Sequence, residues 1–512
     1  MTPEARGIGR LSALVRRFRW IYLAPVLAFV ALGAWAFASP IGAGPDDDYH
    51  VISIWCASGG SELCEPGTEP TTRTVPESFP SIACYAQYAE RSADCQETVW
   101  AEWDRGTVQT ERGNFVGEYP PVYYAAMHLL AGGDLQVSTL TMRLLNAALF
   151  VGLATALAAL LPATRRRTLL WGWLIALVPL GMFLIPSNNP SGWAITGIGT
   201  AFLALLGWFE TEGRRRWVLG ALYLVGVLMA AGARGDAAVY AAGATITAVI
   251  LTSARNREWA LRAILPALGL IIAVVLLSTA GQAGVGAVGF TGGEGATIPV
   301  PGETGTEAVL SGFSLAAYNF LMLPFLWTGV FGTWGLGWLD TQLAAVVPWA
   351  ATAAFIVVGF AGIGRLSWRK AIATGGVLFV LIALPVYVLS AGGDKVGATL
   401  QPRYLLPLIV LFAFLLVSEP AGRALRFTRA QTFAIFGALA VANLVALQVN
   451  IRRYVTGADQ QGLNLDAGAE WWWTGLPVGP TAMWIIGTLA YAGVLVLLWP
   501  QLRQRTEPAL AP

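Results

Sequence analysis

Residues 165–216 read RRRTLLWGWLIALVPLGMFLIPSNNPSGWAITGIGTAFLALLGWFETEGRRR, and this stretch decides the fold class. Two apolar runs flank the polar turn SNNPSG, and an arginine triplet stands at each outer end. About 20 apolar residues are enough for a helix to cross the roughly 30 Å hydrocarbon core of a bilayer. Because arginine collects on the cytoplasmic side of spanning helices, the stretch predicts a transmembrane hairpin whose turn faces away from the cytoplasm.

The same alternation of apolar runs and short polar turns recurs along all 512 residues. Only 12% of the chain is charged, against about 25% in a soluble protein. The net charge of +2 gives no reason to expect a nucleic-acid partner. The sequence therefore predicts an all-α transmembrane protein among membrane lipids, with about twelve spanning helices. The predicted spans are 20–39, 143–161, 168–185, 192–209, 217–233, 237–253, 263–280, 343–363, 371–390, 404–418, 431–449 and 481–499.

Basic residues sort onto one side of this arrangement, together with both chain termini. The loops concerned are 165–167, 214–216, 255–262, 365–370 and 423–429. That side is predicted to be cytoplasmic, so both termini are cytoplasmic. The arginines from Arg6 to Arg19, followed by the apolar run Trp20–Ser39, resemble a signal peptide. Because the run is longer than the usual apolar core and more spans follow, an uncleaved signal anchor is favoured.

One apolar segment, Phe313–Leu339, does not fit the alternation. If the count of spans is right, both of its ends lie on the extracytoplasmic side, which predicts a re-entrant segment or an interfacial helix pair. A single crossing would invert every later loop and turn the basic residues 365–370 outward, and it is rejected on that ground.

The first extracytoplasmic loop, 40–142, is the largest polar segment, and it contains all four cysteines: Cys56, Cys64, Cys84 and Cys95. An even number of cysteines in an oxidising compartment predicts two structural disulfides. Three pairings are possible. Cys56–Cys64 with Cys84–Cys95 is favoured because it closes short local loops.

The loop opens with Pro45-Asp46-Asp47-Asp48-Tyr49-His50, a few residues after the first span. The next residues, His50–Trp55, are apolar enough for an interfacial helix. Acidic residues at a helix start can serve as caps and oppose the dipole. Three adjacent aspartates exceed what capping needs, so the alternative is a functional carboxylate cluster. Such carboxylates can act as a general base or bind a divalent cation, here at Asp46 and Asp48. The cofactor requirement stays open.

Other polar residues gather at the outer ends of the predicted spans, whose interiors contain no charged residue. That absence weighs against an ion-coupled transporter. Arg234-Gly235-Asp236 forms a very short outer loop, and Arg403 directly precedes a span. An arginine there can hold a phosphate through two hydrogen bonds. The plainer interpretation of each arginine is snorkelling of its side chain at the membrane interface.

Several short motifs resemble those of a family of predicted bacterial multipass proteins known only as a domain of unknown function. Pro45-Asp46-Asp47-x-x-His50 resembles its Pro-Asp-Glu-x-x-His signature, with aspartate in place of glutamate at 47. Similar matches cover most of the chain: Pro120-Pro121-x-Tyr123-Tyr124, Asn189-Pro190-Ser191-Gly192 and Arg234-x-Asp236. The resemblance implies a protein of the bacterial cytoplasmic membrane.

The layout is also similar to that of GT-C glycosyltransferases, which carry acidic residues soon after the first span. The run from Gln401 to Pro407 resembles a segment in their late helices. This resemblance implies inverting transfer of a sugar from a polyprenyl-phosphate donor to a glycan or other cell-envelope acceptor. Asp46 is then the first choice and Asp47 the second for the base, and Arg403 and Arg234 bind the donor phosphate. His50, Asp236, Asn189, Tyr123 and Tyr124 would orient the acceptor or complete the site.

On this interpretation the chain divides into four parts. They are a cytoplasmic N-terminus (1–19), a transmembrane catalytic-like module (20–418), C-terminal transmembrane helices (419–499) and a cytoplasmic tail (500–512). Two other functions stay open. One is a transporter or flippase of lipid-linked saccharides, which would need no base. The other is a noncatalytic envelope-assembly protein that uses the disulfide-bonded loop for docking.

Overall fold

The computed structural model of the chain describes residues 20–103, 105–281, 310–364, 366–419, 425 and 427–502. Within these residues the chain is mainly helical. The helices are α1 (Ala24–Phe37), α2 (Asp47–Trp55), α3 (Gln96–Ala101), α4 (Pro121–His128), α5 (Leu135–Leu160), α6 (Ala163–Leu177), α7 (Leu180–Leu184), α8 (Ser191–Glu210), α9 (Gly213–Ala231), α10 (Gly235–Thr252), α11 (Arg257–Arg262), α12 (Ile264–Ser278), α13 (Gly312–Thr328), α14 (Val346–Ile363), α15 (Trp368–Gly392), α16 (Pro402–Val417), α17 (Arg429–Val455) and α18 (Pro480–Leu502). Nine helical segments of the described chain are long and apolar enough to cross a membrane.

Side-chain caps define where several of these helices begin. Asp134 accepts a hydrogen bond from the Val137 N–H at the start of α5, at 3.0 Å. Thr428 and Gln431 form a reciprocal capping box at the start of α17. Such caps satisfy backbone N–H groups that have no partner in the first helical turn. They explain why polar residues directly precede these apolar runs.

Helix α8, which is almost entirely buried, packs against α9 with the two backbones in contact. A Cβ atom added to Gly197 of α8 would lie 2.6 Å from the Gly226 carbonyl oxygen of α9. A Cβ on Gly226 would in turn lie 2.8 Å from the Gly197 carbonyl oxygen. Small residues permit this close approach, through which membrane helices gain packing contacts that lipid cannot supply.

The basic loops meet at one end of the bundle, as their alternation predicts. There Arg165 pairs with Glu210 at 2.7 Å, and Arg262 donates to the Phe209 carbonyl oxygen at 2.7 Å. Lys370 donates to the carbonyl oxygens of Gly362 and Leu416, both at 2.7 Å. These contacts join the ends of six helices on the same side: α6, α8, α11, α14, α15 and α16.

The opposite end carries the long first loop, and we call it the loop end. The two disulfides are Cys56–Cys64 and Cys84–Cys95, which is the favoured pairing. The loop also contains a small antiparallel sheet in the order β1 (Glu65–Pro66), β2 (Arg73–Pro76), β3 (Thr107–Thr110), with Arg73 opposite Thr110. The chain is therefore not purely α-helical. The apolar run predicted as a helix is α2, and it is buried beneath the loop.

The apolar segment Phe313–Leu339, which did not fit the predicted alternation, enters and leaves the bundle at the loop end. Asn319 of α13 donates to the Asp394 carbonyl oxygen beside the end of α15. Further along, Trp327 donates to the Leu381 carbonyl oxygen, in the middle of α15. After a 3-10 turn the chain returns, and Asp340 pairs with Arg453 at 2.7 Å. A single helix followed by an irregular return to the loop end takes the place of the expected helix pair.

Three helices extend beyond the predicted membrane spans. Helix α5 begins at Leu135, whereas the predicted span begins at 143, so Arg143 lies within the helix. Helix α17 continues to Val455, beyond the span predicted to end at 449, and α18 continues to Leu502, beyond the span predicted to end at 499. A polar side chain such as Arg143 can sit inside a helix when neighbouring carbonyl groups bind it. The N-terminus 1–19 and the tail residues 503–512 lie outside the described residues.

Candidate functional site

The candidate site is built on the turn at Pro45 and Asp46, where the first loop leaves the bundle. The Pro45 carbonyl oxygen accepts hydrogen bonds from Asn189 Nδ2 at 2.8 Å and from Arg403 Nη1 at 2.9 Å. Asp46 adopts a left-handed backbone conformation, with φ of 58°. Aspartate tolerates this conformation better than most residues. Two distant parts of the chain therefore hold the turn in place.

Asp46 precedes α2, but its carboxylate does not cap that helix. It forms an ion pair with Arg403, the second residue of α16. The Arg403 side chain is only 3% exposed, whereas that of Asp46 is 33% exposed. Arg403 also donates to the Tyr404 hydroxyl at 2.9 Å. The Asp46 side chain therefore does not serve as a helix cap, and this partly accessible carboxylate is held by a buried cation instead.

The charges around Asp46 determine its protonation state. Burial opposes ionisation, but the charges of Arg403 and Arg112 outweigh it and lower the pKa of Asp46 to about 2. The carboxylate is therefore ionised at neutral pH. It is also a weak base for as long as Arg403 remains its partner, because a low pKa means a low proton affinity.

A second arginine lies on the same tyrosine ring. The guanidinium carbons of Arg403 and Arg234 are 4.8 Å and 4.6 Å from the Tyr404 ring centroid. Arg234 precedes α10 and makes two hydrogen bonds to Asp236, at 2.9 and 3.0 Å. Among the described residues, Arg234 Nη1 and Arg403 Nε are buried without a hydrogen-bond acceptor. Two cations with unused donors suit an anion that carries several oxygen atoms.

The third aspartate of the triplet has its own partner. Asp48 accepts two hydrogen bonds from Arg112, at 2.8 and 3.1 Å. Arg112 also lies 4.0 Å from Asp46 and is about half exposed. The carboxylate oxygens of Asp46 and Asp48, which the sequence suggested as ligands of a divalent cation, therefore face arginines. Within the described residues, no group of three or more histidine, cysteine, aspartate or glutamate side chains could hold a metal ion.

His50 lies one helical turn after Asp46 and is fully buried. Its Nδ1 is 2.8 Å from the Tyr124 hydroxyl, and its ring contacts Tyr119 edge to face at 5.3 Å. Burial lowers the pKa of His50 well below its ordinary value, although the Asp46 charge opposes this effect. His50 is therefore neutral near pH 7. Its Nε2 has no hydrogen-bond partner in the described structure.

Asp47, the second choice for a base, points away from this cluster into the protein interior. It is fully buried, and its Oδ2 accepts a hydrogen bond from the Gly44 N–H at 2.9 Å. Burial raises its pKa to about 6, although the Arg143 charge and the Gly44 bond oppose the rise. Arg143 donates to the carbonyl oxygens of Ala36, Ser39 and Pro40. This arrangement fits a structural role for Asp47 better than contact with a substrate.

The remaining predicted site residues differ in their contacts and in their exposure. Tyr124 contacts His50, and Asp236 binds Arg234. Asn189 supports the turn but is fully buried. Tyr123 is also fully buried, and its ring packs against Trp193 at 5.3 Å. Asn189 and Tyr123 therefore have no exposed surface with which to touch an acceptor.

Sequence reasoning missed Arg112, Tyr119 and Tyr404 as members of the cluster. Tyr119 lies between the Arg234 guanidinium, 5.6 Å from its ring, and His50. It directly precedes the Pro120-Pro121 motif, and Tyr404 directly follows Arg403. Attention to the neighbours of each motif would have found both tyrosines. No sequence signal distinguishes Arg112 from the other arginines of the loop.

The comparison with known proteins agrees with this architecture at the level of the family. A family described as predicted membrane protein (DUF2142) matches residues 29–412. Among curated proteins, no relative matches the chain. The family match begins in α1, includes the Asp46 turn, Arg234 and Arg403, and ends within α16. Since it covers most of the chain, this protein belongs to the DUF2142 family of predicted membrane proteins.

Proposed function

We propose that this protein is a GT-C-like glycosyltransferase of the bacterial cytoplasmic membrane. On this proposal it transfers a sugar from a polyprenyl-phosphate donor to a cell-envelope acceptor. The loop end is extracytoplasmic and both termini are cytoplasmic. Twelve helical passages cross the membrane, and α13 is re-entrant. The positive-inside rule supports this orientation, because the arginine-rich loops gather at the opposite end.

One observation carries the proposal. Asp46 is paired with Arg403, and the guanidinium groups of Arg403 and Arg234 both lie against the ring of Tyr404. A transferase needs a carboxylate near the acceptor hydroxyl and fixed positive charge near the leaving phosphate. These groups come from the first loop, α10 and α16, and they meet at the loop end. Arg403 and Arg234 can bind phosphate oxygens through the N–H groups that have no acceptor.

The proposed reaction is a displacement at the anomeric carbon of the donor sugar. The acceptor oxygen forms the new glycosidic bond, and the bond from the anomeric carbon to the phosphate oxygen breaks. Its electron pair remains on the polyprenyl phosphate, whose added charge Arg403 and Arg234 stabilise. The acceptor proton passes to Asp46. Stabilisation is greatest in the transition state, because charge on the leaving oxygen develops only there.

Donor binding would also make Asp46 a better base. The ion pair with Arg403 holds the pKa of Asp46 at about 2, which is too low for efficient proton removal at neutral pH. A donor phosphate that binds Arg403 competes with Asp46 for the same guanidinium. The carboxylate then loses its strongest partner, and its proton affinity rises when the substrate is in place.

The decisive experiment is a transfer assay with the purified protein in liposomes and labelled polyprenyl-phosphate sugars. Asp46→Asn should lower the transfer rate by about 10²-fold or more, the usual scale for loss of a general base. Donor binding should persist in this variant because both arginines remain. Arg403→Lys should raise the donor KM, since lysine cannot make the same two-pronged contact.

Asp459→Asn is the matched control, because Asp459 is an exposed carboxylate outside the site, and its rate should equal that of the wild type. Normal transfer by Asp46→Asn would defeat the catalytic role. A flippase would move the labelled lipid across the bilayer without consuming it, and an assembly protein would do neither. Both alternatives predict that no polyprenyl phosphate is released.

A further inference from the structure

A groove of about 630 Å³ lies in the half of the bundle that is opposite the loop end. It is bounded by the first turns of α1 and α6 and by the last turns of α5 and α18. Small side chains, among them Ala28, Ala154 and Ala158, leave space between these helices. Phe150 and Trp173 also line it, with their rings in edge-to-face contact at 4.9 Å. The groove is thus mainly apolar and lies within the membrane-crossing part of the chain.

Two hydrogen-bond donors on this groove have no acceptor within the described part of the chain. Arg166, near the basic end of the bundle, has a buried Nε without a partner, and so does Trp173 through its Nε1. The neighbouring Arg165 is fully engaged, because it pairs with Glu210 and donates to Ser418. Among the described residues, no carboxylate forms an ion pair with Arg166. A buried donor without an acceptor is costly, so a ligand with oxygen acceptors would stabilise this region.

We propose that the groove binds one anionic glycerophospholipid from the cytoplasmic leaflet. The lipid phosphate pairs with Arg166, and an acyl chain follows the apolar wall toward Trp173. Its ester oxygens lie between the headgroup and the acyl chains, where they can accept a hydrogen bond from the indole N–H of Trp173. A small anion would leave the apolar wall unfilled, and a hydrocarbon chain alone would leave Arg166 without a counter-ion. A phospholipid satisfies both requirements, since it joins an acidic headgroup to apolar chains.

This inference is independent of the proposed sugar transfer, because the groove lies at the other end of the bundle from Asp46. It concerns a bound lipid that fills the space between four helices. Such a lipid would join α1 to α6, as the Arg143 contact with the Ala36 carbonyl oxygen joins α1 to α5 nearer the loop end. Retention of the lipid, and not enzymatic turnover, is therefore the quantity to measure.

The test is native mass spectrometry of the delipidated protein after incubation with phosphatidylglycerol or phosphatidylcholine of identical acyl chains. The wild type should retain one phosphatidylglycerol with about fivefold preference, the scale of one basic side chain near an anionic headgroup. Arg166→Gln should reduce that preference to about one. Arg214→Gln, at an exposed arginine of the same end, should preserve it.

A second variant tests the apolar part of the groove without changing charge. Ala158→Trp places a large side chain in the space and should reduce retention of both lipids at least fivefold, with Arg166 intact. Equal retention of the two lipids by the wild type would overturn the proposal. An unchanged preference for phosphatidylglycerol in Arg166→Gln, or a loss of that preference in Arg214→Gln as large as in Arg166→Gln, would also overturn it. So would a change in the number of subunits, with lipid retention unchanged, in Ala158→Trp.

Discussion

At the scale of single residues, adjacent carboxylates in this protein have opposite environments. Asp46 faces a buried arginine and has a pKa of about 2, whereas burial raises the pKa of Asp47 to about 6. Backbone geometry explains the contrast, because Asp46 adopts a left-handed conformation before α2, whereas Asp47 is the first residue of that helix. The sequence predicts a cluster of carboxylates but cannot show which member turns inward. The direction of Asp47 becomes evident only from the fold, in which its side chain is buried and is influenced by the charge of Arg143.

The raised pKa of Asp47 gives a testable pH dependence of stability. An unfolded aspartate has a pKa of about 3.9, so between that value and about 6 the folded protein holds a proton that the unfolded chain has released. The free energy of unfolding therefore falls as the pH rises through this window and is level above it. Asp47→Asn cannot ionise, so its stability relative to the wild type should rise by up to about 3 kcal/mol across the window.

Chemical unfolding in detergent at pH 4, 5, 6 and 7 measures this difference. All other ionisable groups are common to both proteins, so their contributions largely cancel in the comparison. Asp459→Asn serves as the control. Its stability relative to the wild type should change less across this pH range than that of Asp47→Asn. A constant difference between Asp47→Asn and wild type over this range would show that Asp47 is not buried as described. Sugar transfer by Asp47→Asn should persist, in contrast to Asp46→Asn.

At the scale of elements, the apolar runs were predictable and the irregular segments were not. Hydrophobic length alone identifies helices such as α8 and α14, because every backbone group in a bilayer must be paired within the helix. The return of the chain after α13 depends on single contacts: Trp327 with Leu381, and Asp340 with Arg453. Neither contact leaves a periodic signal. The small sheet in the loop escaped prediction for the same reason, since its strands have only two to four residues.

The ion pair between Asp340 and Arg453 should hold the returning segment in place. The Arg453 side chain is fully buried and that of Asp340 is 7% exposed. Loss of one partner from a buried pair costs about 3–5 kcal/mol, because a charge remains without compensation. Asp340→Ala should cost about 3 kcal/mol, at the lower limit, since Arg453 also donates to the Tyr85 and Arg91 carbonyl oxygens.

Thermal and chemical unfolding of the detergent-solubilised variants can measure the cost. Glu111→Ala removes an exposed carboxylate of the loop and should change the free energy of unfolding by less than about 0.5 kcal/mol. Asp340→Asn should fall between the two, because the amide keeps a hydrogen-bond acceptor but loses the charge. Equal stability of Asp340→Ala and Glu111→Ala would exclude an anchoring role for the pair.

At the scale of the whole molecule, charge sorting predicts which ends of the helices lie together, and the structure agrees. The basic loops gather opposite the disulfide-bonded loop, and the candidate site lies at the loop end. Asp46 and Arg403 are 357 positions apart in sequence. Their contact could be hypothesised only because both were predicted to lie on the extracytoplasmic side of the membrane. The membrane orientation of the two ends follows from the positive-inside rule and is open to direct measurement.

Thiol labelling tests both the orientation and the re-entrant path, because the four native cysteines are consumed by two disulfides. Ser311→Cys and Gln342→Cys place exposed thiols before α13 and after the return of the chain. Both should react with a membrane-impermeant maleimide in intact cells from which any outer barrier has been removed. Arg214→Cys, at the opposite end, should react only after the membrane is opened. Reaction of Ser311→Cys and Gln342→Cys from different sides would mean that α13 crosses the bilayer, and the later basic loops would then face outward.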